Sequence, residues 1–484
     1  VSGRRAELAS GVGWAAAGGI LHFLGFAGFG IWPLALVSLA CLWHALEPER
    51  GTRAREAAAL GALFGWVAFA GGYHWLGYGV HELVGDRVAP ALLLWLGFSL
   101  WFAARFALLA LAYTVLRRRG VPSAVAGPLP LLVIEAFYPD LFPVHVGAAL
   151  VERVAWIQIA DLAGPLGLSA LVALANAALL ETFRFARGRR AAPRALWLAA
   201  AGVALATWGY GALRIRALEA EIAAAPVLRI AVVQGGPEAK SRPGDPDALR
   251  RRYVAQTREA LAAGGPVDLV IWPETIVTGG LRRPLPLSGR FVRDDLGVPL
   301  LFGAVSLDVL AGRSASYNSA LLVGADGVIR EAYDKNLLIP FGEYVPFAAR
   351  APALAARFAG ADAFAAAHET PPLQLGTWRI ATPICYEAIR PEFVRRMVKS
   401  GRPHLIVSLA NDSWFGGSQE PWLHDAVARL RAVEHRRYLV RATNSGVSSV
   451  VDPVGRVVAR SGSETRETVR AEVRMLEGVT LYGR

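Results

Sequence analysis

Glu274, Lys335 and Cys385 each close a short run that reads as a β-strand: "LVIWP" before Glu274, "IREAYD" before Lys335 and "RIATPI" before Cys385. Residues at strand ends point into loops, where sites are built on rigid scaffolding. Taken singly, each has a plain structural reading: a solvated Glu, a surface Lys, a packed Cys. Together they meet a chemical need. A thiol is a nucleophile only as the thiolate, so it requires a base or a neighbouring cation. Glu274 can accept the proton. Lys335 can stabilise the thiolate and then a tetrahedral oxyanion, with the backbone N–H of Tyr386 as a second donor. No His is required, and none stands at a matching strand end.

Composition sharpens two of the three. Lys240, Lys335 and Lys399 are the only lysines against 48 arginines, so a Lys at 335 resists a strong bias. A compact ammonium fits beside an oxyanion where a planar guanidinium does not. It opens "DKNLLIPFGEYVPF" (334–347), which has neither helical nor strand period and reads as a structured loop. Only two cysteines occur, Cys41 and Cys385. Cys41 lies in the apolar run "LVSLACLWHAL", so two free thiols are expected rather than a disulfide.

The elements that must carry these residues alternate from residue 226 onward. Strands are read at 227–235, 267–275, 298–307, 378–387 and 403–414, with helices at 247–263 and 421–438. "YNSALLVGADGVIREAYDK" (317–335) reads as a hairpin on a Gly-Ala-Asp-Gly turn, and 439–459 as a closing pair of strands on an Asp-Pro-Val-Gly turn. The pattern is α/β, with sheets covered by helices.

The first half is different in kind. Hydrophobic residues make up 54% of the chain and charged ones only 19%, and ten of the 14 tryptophans fall in the first 208 residues. That excess implies a membrane part followed by a soluble part. Seven segments are long and apolar enough to span a bilayer: roughly 7–28, 31–46, 56–79, 88–116, 121–138, 159–182 and 195–213. A cleaved signal peptide would not account for the N-terminus, because apolar segments continue. Loops on the N-terminal side hold thirteen arginines, from Arg4 to Arg194; the opposite loops hold Arg87 and Arg153. The positive-inside rule puts the N-terminus in the cytoplasm, and seven crossings put the soluble half outside, at the periplasmic face. Arg105 falls inside the fourth segment and reads either as a functional charge or as half of an interhelical bond. "GGYHWLGYGVHELVG" (71–85) reads as an interfacial aromatic belt rather than a metal site. The net charge of +12 is carried by arginines that flank apolar segments, which argues against nucleic-acid binding.

With "IWPET", "YDKNLLIPFGEYVPF", "PICYE" and "ANDSWFG" in order, the chain resembles the Glu-Lys-Cys pattern of the nitrilase superfamily. The preceding helices make it similar to one branch, the apolipoprotein N-acyltransferase family. The resemblance also covers "FPVHVGAALVERVAWIQIADLAGPLGLS" (142–169), "PWLHDAVARLRAVEHRR" and "RATNSG". It implies a transmembrane helical domain over 1–220 and an αββα sandwich over 221–475. It implies acyl transfer from a membrane phospholipid, through a Cys thioester, to the N-terminal amine of a diacylated apolipoprotein. Cys385 would be the nucleophile, Glu274 the general base and Lys335 the oxyanion stabiliser. Glu343 matches a second site glutamate, and Tyr386 and Glu387 match neighbours of the nucleophile that the family needs. No cofactor, metal or nucleotide is expected, and the protein is expected to be a monomer.

Both substrates carry acyl chains, so the segment 341–370, rich in Phe and Ala, is expected to form a lipid-facing lid with Trp414 and Phe415. Its alternative is ordinary core helix. The chain departs from the family pattern at Ser241, where members commonly carry a Trp, and at "GVTLYGR" (478–484), where an eighth membrane helix would begin. A truncated chain, with 476–484 as the start of that helix, is the expectation. Two other functions compete. A membrane-tethered amidase would use the same residues with water as acceptor, but needs no helical platform. A transporter or scaffold would need neither Glu274, Lys335 nor Cys385 and would favour an inverted repeat, which the helices do not show.

Overall fold

The computed structural model describes residues 2–26, 28–77, 79–80, 88–188, 191–237, 245–310, 313–346, 348, 350, 352 and 364–484. It divides into two compact units, one of residues up to 214 and the other of residues 215–484. Arg87, Ser241, Phe358 and most of the expected lid lie outside the described residues.

The first unit is helical. Its longer helices are α1 (Ser2–Leu24), α2 (Ala35–Ala45), α3 (Ala54–Gly72), α4 (Val88–Arg118), α5 (Pro128–Phe137), α6 (Ala160–Ala186) and the part up to residue 214 of α7 (Arg194–Ala224). Among the described residues, stretches of α4, α6 and α7 are long and apolar enough to cross a membrane, while 32–45 and 123–137 are apolar and shorter. Leu93 is 70% exposed and Leu198 is 74% exposed. Leucines bared along helices in this way suit lipid and not water. This is the helical arrangement of a membrane protein. Charges inside the unit are paired. Glu47 accepts from Arg117 at 2.9 Å and also from Arg184 and Tyr113. Arg105 is buried and meets Asp140 at 2.5 Å and Glu135 at 3.7 Å. The Arg105 side chain therefore joins α4 to the segment around α5, as buried charges must be paired.

The second unit is a pair of sheets with helices outside both. The strands are β1 (Val227–Gln234), β2 (Leu269–Ile271), β3 (Val277–Arg282), β4 (Leu287–Ser288), β5 (Leu300–Leu310), β6 (Arg313–Val323) and β7 (Val328–Asp334). They continue as β8 (Leu373–Leu375), β9 (Trp378–Ala381), β10 (Leu405–Ala410), β11 (Tyr438–Thr443), β12 (Ser449–Val451), β13 (Val457–Arg460) and β14 (Glu467–Arg474). The first sheet runs β14-β1-β2-β5-β6-β7-β4, with β3 paired to β5; the second runs β13-β12-β11-β10-β9-β8. β1, β2 and β5 are parallel, as are β9, β10 and β11.

Alternation explains the layering. Ile230, Val232, Leu269 and Ile271 face a core shared with Leu405, Val407, Leu409 and Val440 of the other sheet. The intervening Val233, Val270 and Trp272 face α8 (Pro246–Ala262) through Leu249, Tyr253 and Val254. On the far side, Ile406 and Leu439 pack against α9 (Pro391–Gly401) and α10 (Glu420–His435). Strands buried on both faces read as unbroken apolar runs, which is how "VDLVIWP" and "PHLIVSLA" read. Four strands had no expectation: β3, β4, β8 and β14, the last pairing antiparallel with β1 along its whole length.

Candidate active site

Peptide geometry brings the three strand-end residues to one place. Lys335 directly follows β7, and its N–H donates to the carbonyl of Asn318 on β6 at 2.8 Å. Glu274 lies three residues past β2, in a turn where Thr275 takes φ 51°. That turn presses against β5: a Cβ on Gly303 would sit 2.5 Å from the Glu274 Cα, so only glycine allows the approach. Cys385 follows β9 and opens a short 3-10 helix, Cys385–Ile389, with its own φ at 50°. A left-handed conformation at a non-glycine residue costs about 1–3 kcal/mol and persists where the surroundings enforce it.

Side chains form a charged cluster with almost no solvent. The Lys335 ammonium, 1% exposed, lies 3.1 Å from Glu274 Oε1 and 2.7 Å from Glu343 Oε1. Asn318 Nδ2 donates to Glu274 Oε1 at 2.6 Å and to Glu343 Oε1 at 3.2 Å. The backbone N–H of Ile339 holds the other Glu343 oxygen at 2.9 Å. Burial works against the Lys335 charge, but the carboxylates of Glu274 and Glu343 outweigh it and keep the lysine protonated well above its ordinary range. Burial raises the Glu274 carboxyl, Lys335 opposes this, and Glu343 adds to the rise; the net direction is upward, towards a stronger base.

Cys385 is electrostatically part of this cluster. Burial pushes its thiol well above the ordinary value; the Glu274 carboxylate pushes the same way and Lys335 opposes both. The resting residue is thus a thiol, with a base among the charges that act on it. An arrangement of this kind suits general-base activation of the nucleophile at the moment of attack rather than a standing thiolate.

Glu387, next but one to the nucleophile, braces the site. It is fully buried, and both oxygens are used: Oε1 accepts from the N–H groups of Asn336 at 2.6 Å and Leu337 at 3.0 Å, and Oε2 from Tyr333 Oη at 2.6 Å and the Ile384 N–H at 2.8 Å. It ties the loop after Lys335 to the turn that carries Cys385. No lone pair is left for a lipid, so Glu387 supports the site and does not line it. Burial raises its carboxyl to about 7, with those donors opposing. Tyr386 is buried, and Arg390 donates to its hydroxyl at 3.3 Å. Trp414 and Phe415 stand half-buried in a 3-10 turn just after Asp412. The described end of the expected lid is stitched to the cluster: the Phe364 N–H donates to the Glu343 carbonyl at 3.0 Å and the Ala367 N–H to the Lys335 carbonyl at 3.0 Å.

Sequence reasoning missed a second buried group behind the nucleophile. Arg441 on β11 donates to Asp412 Oδ1 at 3.0 Å and Oδ2 at 2.8 Å. His424 on α10 sets Nδ1 3.5 Å from Asp412 and 3.4 Å from Glu420, and Nε2 3.3 Å from the carbonyl oxygen of Cys385. Asp412, Glu420 and His424 could present ligand atoms to a metal ion, all within 4.8 Å of one another. Arg441 already occupies both oxygens of Asp412. The early signals were the position of Asp412 just past β10, another strand end, and the place of Asp412 and His424 within the motifs "ANDSWFG" and "PWLHDAVARLRAVEHRR".

Comparison with known proteins places the chain in a family. The carbon-nitrogen hydrolase family model matches residues 229–479, and that of the apolipoprotein N-acyltransferase N-terminal domain matches residues 18–178. The chain is 34% identical to an apolipoprotein N-acyltransferase of Azotobacter vinelandii over 97% of this chain and 90% of that one. It is 32% identical to one of Geobacter metallireducens, over 96% and 90% of the two chains. Among solved structures, a nitrilase-superfamily member of Saccharomyces cerevisiae is similar at 19% identity and a TM-score of 0.40, over 51% of this chain and 90% of that one. The chain belongs to the apolipoprotein N-acyltransferase family.

Proposed function

We propose that the chain transfers an acyl chain from a membrane phospholipid to the N-terminal amine of a diacylated apolipoprotein, by way of a thioester on Cys385. The observation that carries this reading is the buried Glu274–Lys335–Glu343 cluster acting on Cys385, in a chain whose other half is a family-matched set of apolar helices. In the first half-reaction Glu274 takes the Sγ proton as the sulfur attacks the ester carbonyl. Lys335 and the Tyr386 N–H hold the oxyanion. The ester C–O bond breaks, and Glu274 returns the proton to the departing lysophospholipid oxygen. In the second, the acceptor amine attacks the thioester, Glu274 takes its proton, and the C–S bond breaks to restore the thiol.

Glu343 holds Lys335 in place and keeps it charged. Tyr386, Trp414 and Phe415 are proposed acyl contacts, with the 341–370 segment as a lid. The thirteen-to-two arginine distribution supports seven crossings, residues 1–220 as the membrane domain, and a catalytic domain over 221–475 at the periplasmic face of the inner membrane. The protein is proposed to act as a monomer.

The test is to incubate the purified protein with a phospholipid labelled in its acyl chain and digest it. The account expects the label on the Cys385 peptide, removable by hydroxylamine as a thioester. Label on any other residue, or a Cys385→Ser variant that transfers acyl as well as the parent, would sink the reading. Label released only as free fatty acid would favour the amidase-like alternative.

A further inference from the structure

We propose that His424 is a positioning residue: its ring holds the carbonyl oxygen of Cys385 and so aims the N–H of Tyr386 at the oxyanion. This rests on the reading of Cys385 as the nucleophile and Tyr386 as an oxyanion donor.

The carbonyl of Cys385 and the N–H of Tyr386 belong to one peptide unit. That unit is planar and trans, so the C=O and N–H point in opposite directions. Fixing one fixes the other. His424 Nε2 lies 3.3 Å from that carbonyl oxygen. A carbonyl only accepts, so Nε2 must carry the hydrogen. Nδ1 in turn faces Asp412 at 3.5 Å and Glu420 at 3.4 Å, both acceptors. Both ring nitrogens therefore face oxygen acceptors, the condition that suits a doubly protonated ring. Burial and Arg441 oppose that charge, but Asp412 and Glu420 prevail and raise the ring to about 9.

The anchor is rigid. Asp412 is held by two bonds from the buried Arg441, whose other nitrogen donates to the Val447 carbonyl at 2.7 Å. A Cβ on Gly446 would fall 1.9 Å from Asp412 Oδ2, so backbone closes over the carboxylate. Cys385 itself sits at φ 50°, a conformation its neighbours must enforce. Glu387 restrains the turn from one side, through the Ile384 N–H, and His424 restrains it through the Cys385 carbonyl.

The test compares His424→Gln with His424→Asn. A Gln amide nitrogen can reach the place of Nε2 and keep a donor on the carbonyl; an Asn amide reaches only the place of Nδ1. Two rates are measured on the full chain in detergent: acylation of Cys385 by labelled phospholipid, and alkylation of Cys385 by iodoacetamide, which forms no oxyanion. The inference expects H424N to acylate about 10²-fold more slowly than the parent, the size of one lost oxyanion donor, with H424Q at least about tenfold faster than H424N. Alkylation should stay near the parental rate in both. H424N matching or exceeding H424Q, or both acylating at the parental rate, overturns it. So does a joint fall of acylation and alkylation in both variants, which would make His424 merely structural. A parent that forms no acyl-Cys385 would instead overturn the site reading beneath it.

Discussion

Replacing Lys335 by Arg keeps the charge and removes the geometry, which makes it an informative perturbation of the site. The ammonium is 1% exposed, with Glu274 at 3.1 Å and Glu343 at 2.7 Å. A guanidinium is larger, planar and fixed in its fork. Forcing it into this space should cost about 1–3 kcal/mol of stability by overpacking. It also moves the donor away from the developing oxyanion, a loss of about 2.7–4 kcal/mol in the transition state, or about 10²–10³ in rate. Lys335→Met is the matched control. It leaves Glu274 and Glu343 facing each other without a cation, a loss of about 3–5 kcal/mol, and one of the two carboxyls takes a proton. The assay is single-turnover acylation of Cys385, with thermal denaturation of the same samples. Both variants should acylate slowly, and K335M should be the less stable. K335R acylating within about threefold of the parent would refute the oxyanion assignment.

Three further outcomes are expected. Because burial and then Glu274 raise the Cys385 thiol, its alkylation rate in the free enzyme should still be climbing above pH 9; a plateau near neutrality would contradict the resting thiol. Gly303→Ala places a Cβ 2.5 Å from the Glu274 Cα, so it should lower stability by about 1–3 kcal/mol and slow acylation, and a variant with parental stability and rate would show that the turn has slack. His424 is raised from 6.5 to about 9 among Asp412, Glu420 and Arg441. Its contribution to stability is fully present below pH 6.5 and is lost as pH rises through about 9. Thermal denaturation from pH 6 to 10 should show that loss in the parent and less of it in H424Q, and equal losses in the two would contradict it.

The residues that were legible in the sequence share a physical reason. Strands buried on both faces are unbroken apolar runs, so a polar residue at the end of one stands out, as Glu274 and Cys385 do. Lys335 stood out against a background of arginine. The turn at Gly324–Gly327 announced its hairpin, closed by the Gly327 N–H on the Gly324 carbonyl at 2.9 Å. What stayed hidden was polar structure inside buried elements. Asn318 is a mid-strand Asn whose role depends on which neighbour it meets. His424 lies on a helix buried on nearly every face, so no helical period marks its side. β14, "ETVRAEVR", alternates charge with small apolar groups and carries no run of its own; its identity comes from pairing with β1. Glu387 was visible beside the nucleophile, but only the four donors around it show that it braces the turn.

The most direct test of the central claim is a chase. Acyl-Cys385 enzyme is prepared with labelled phospholipid, freed of excess donor, and mixed with a diacylated lipopeptide whose N-terminal amine is either free or acetylated. The account predicts that label leaves Cys385 and appears as an amide on the free-amine peptide, while the acetylated peptide leaves the thioester in place. Equal loss of label with both peptides, recovered as free fatty acid, would contradict it.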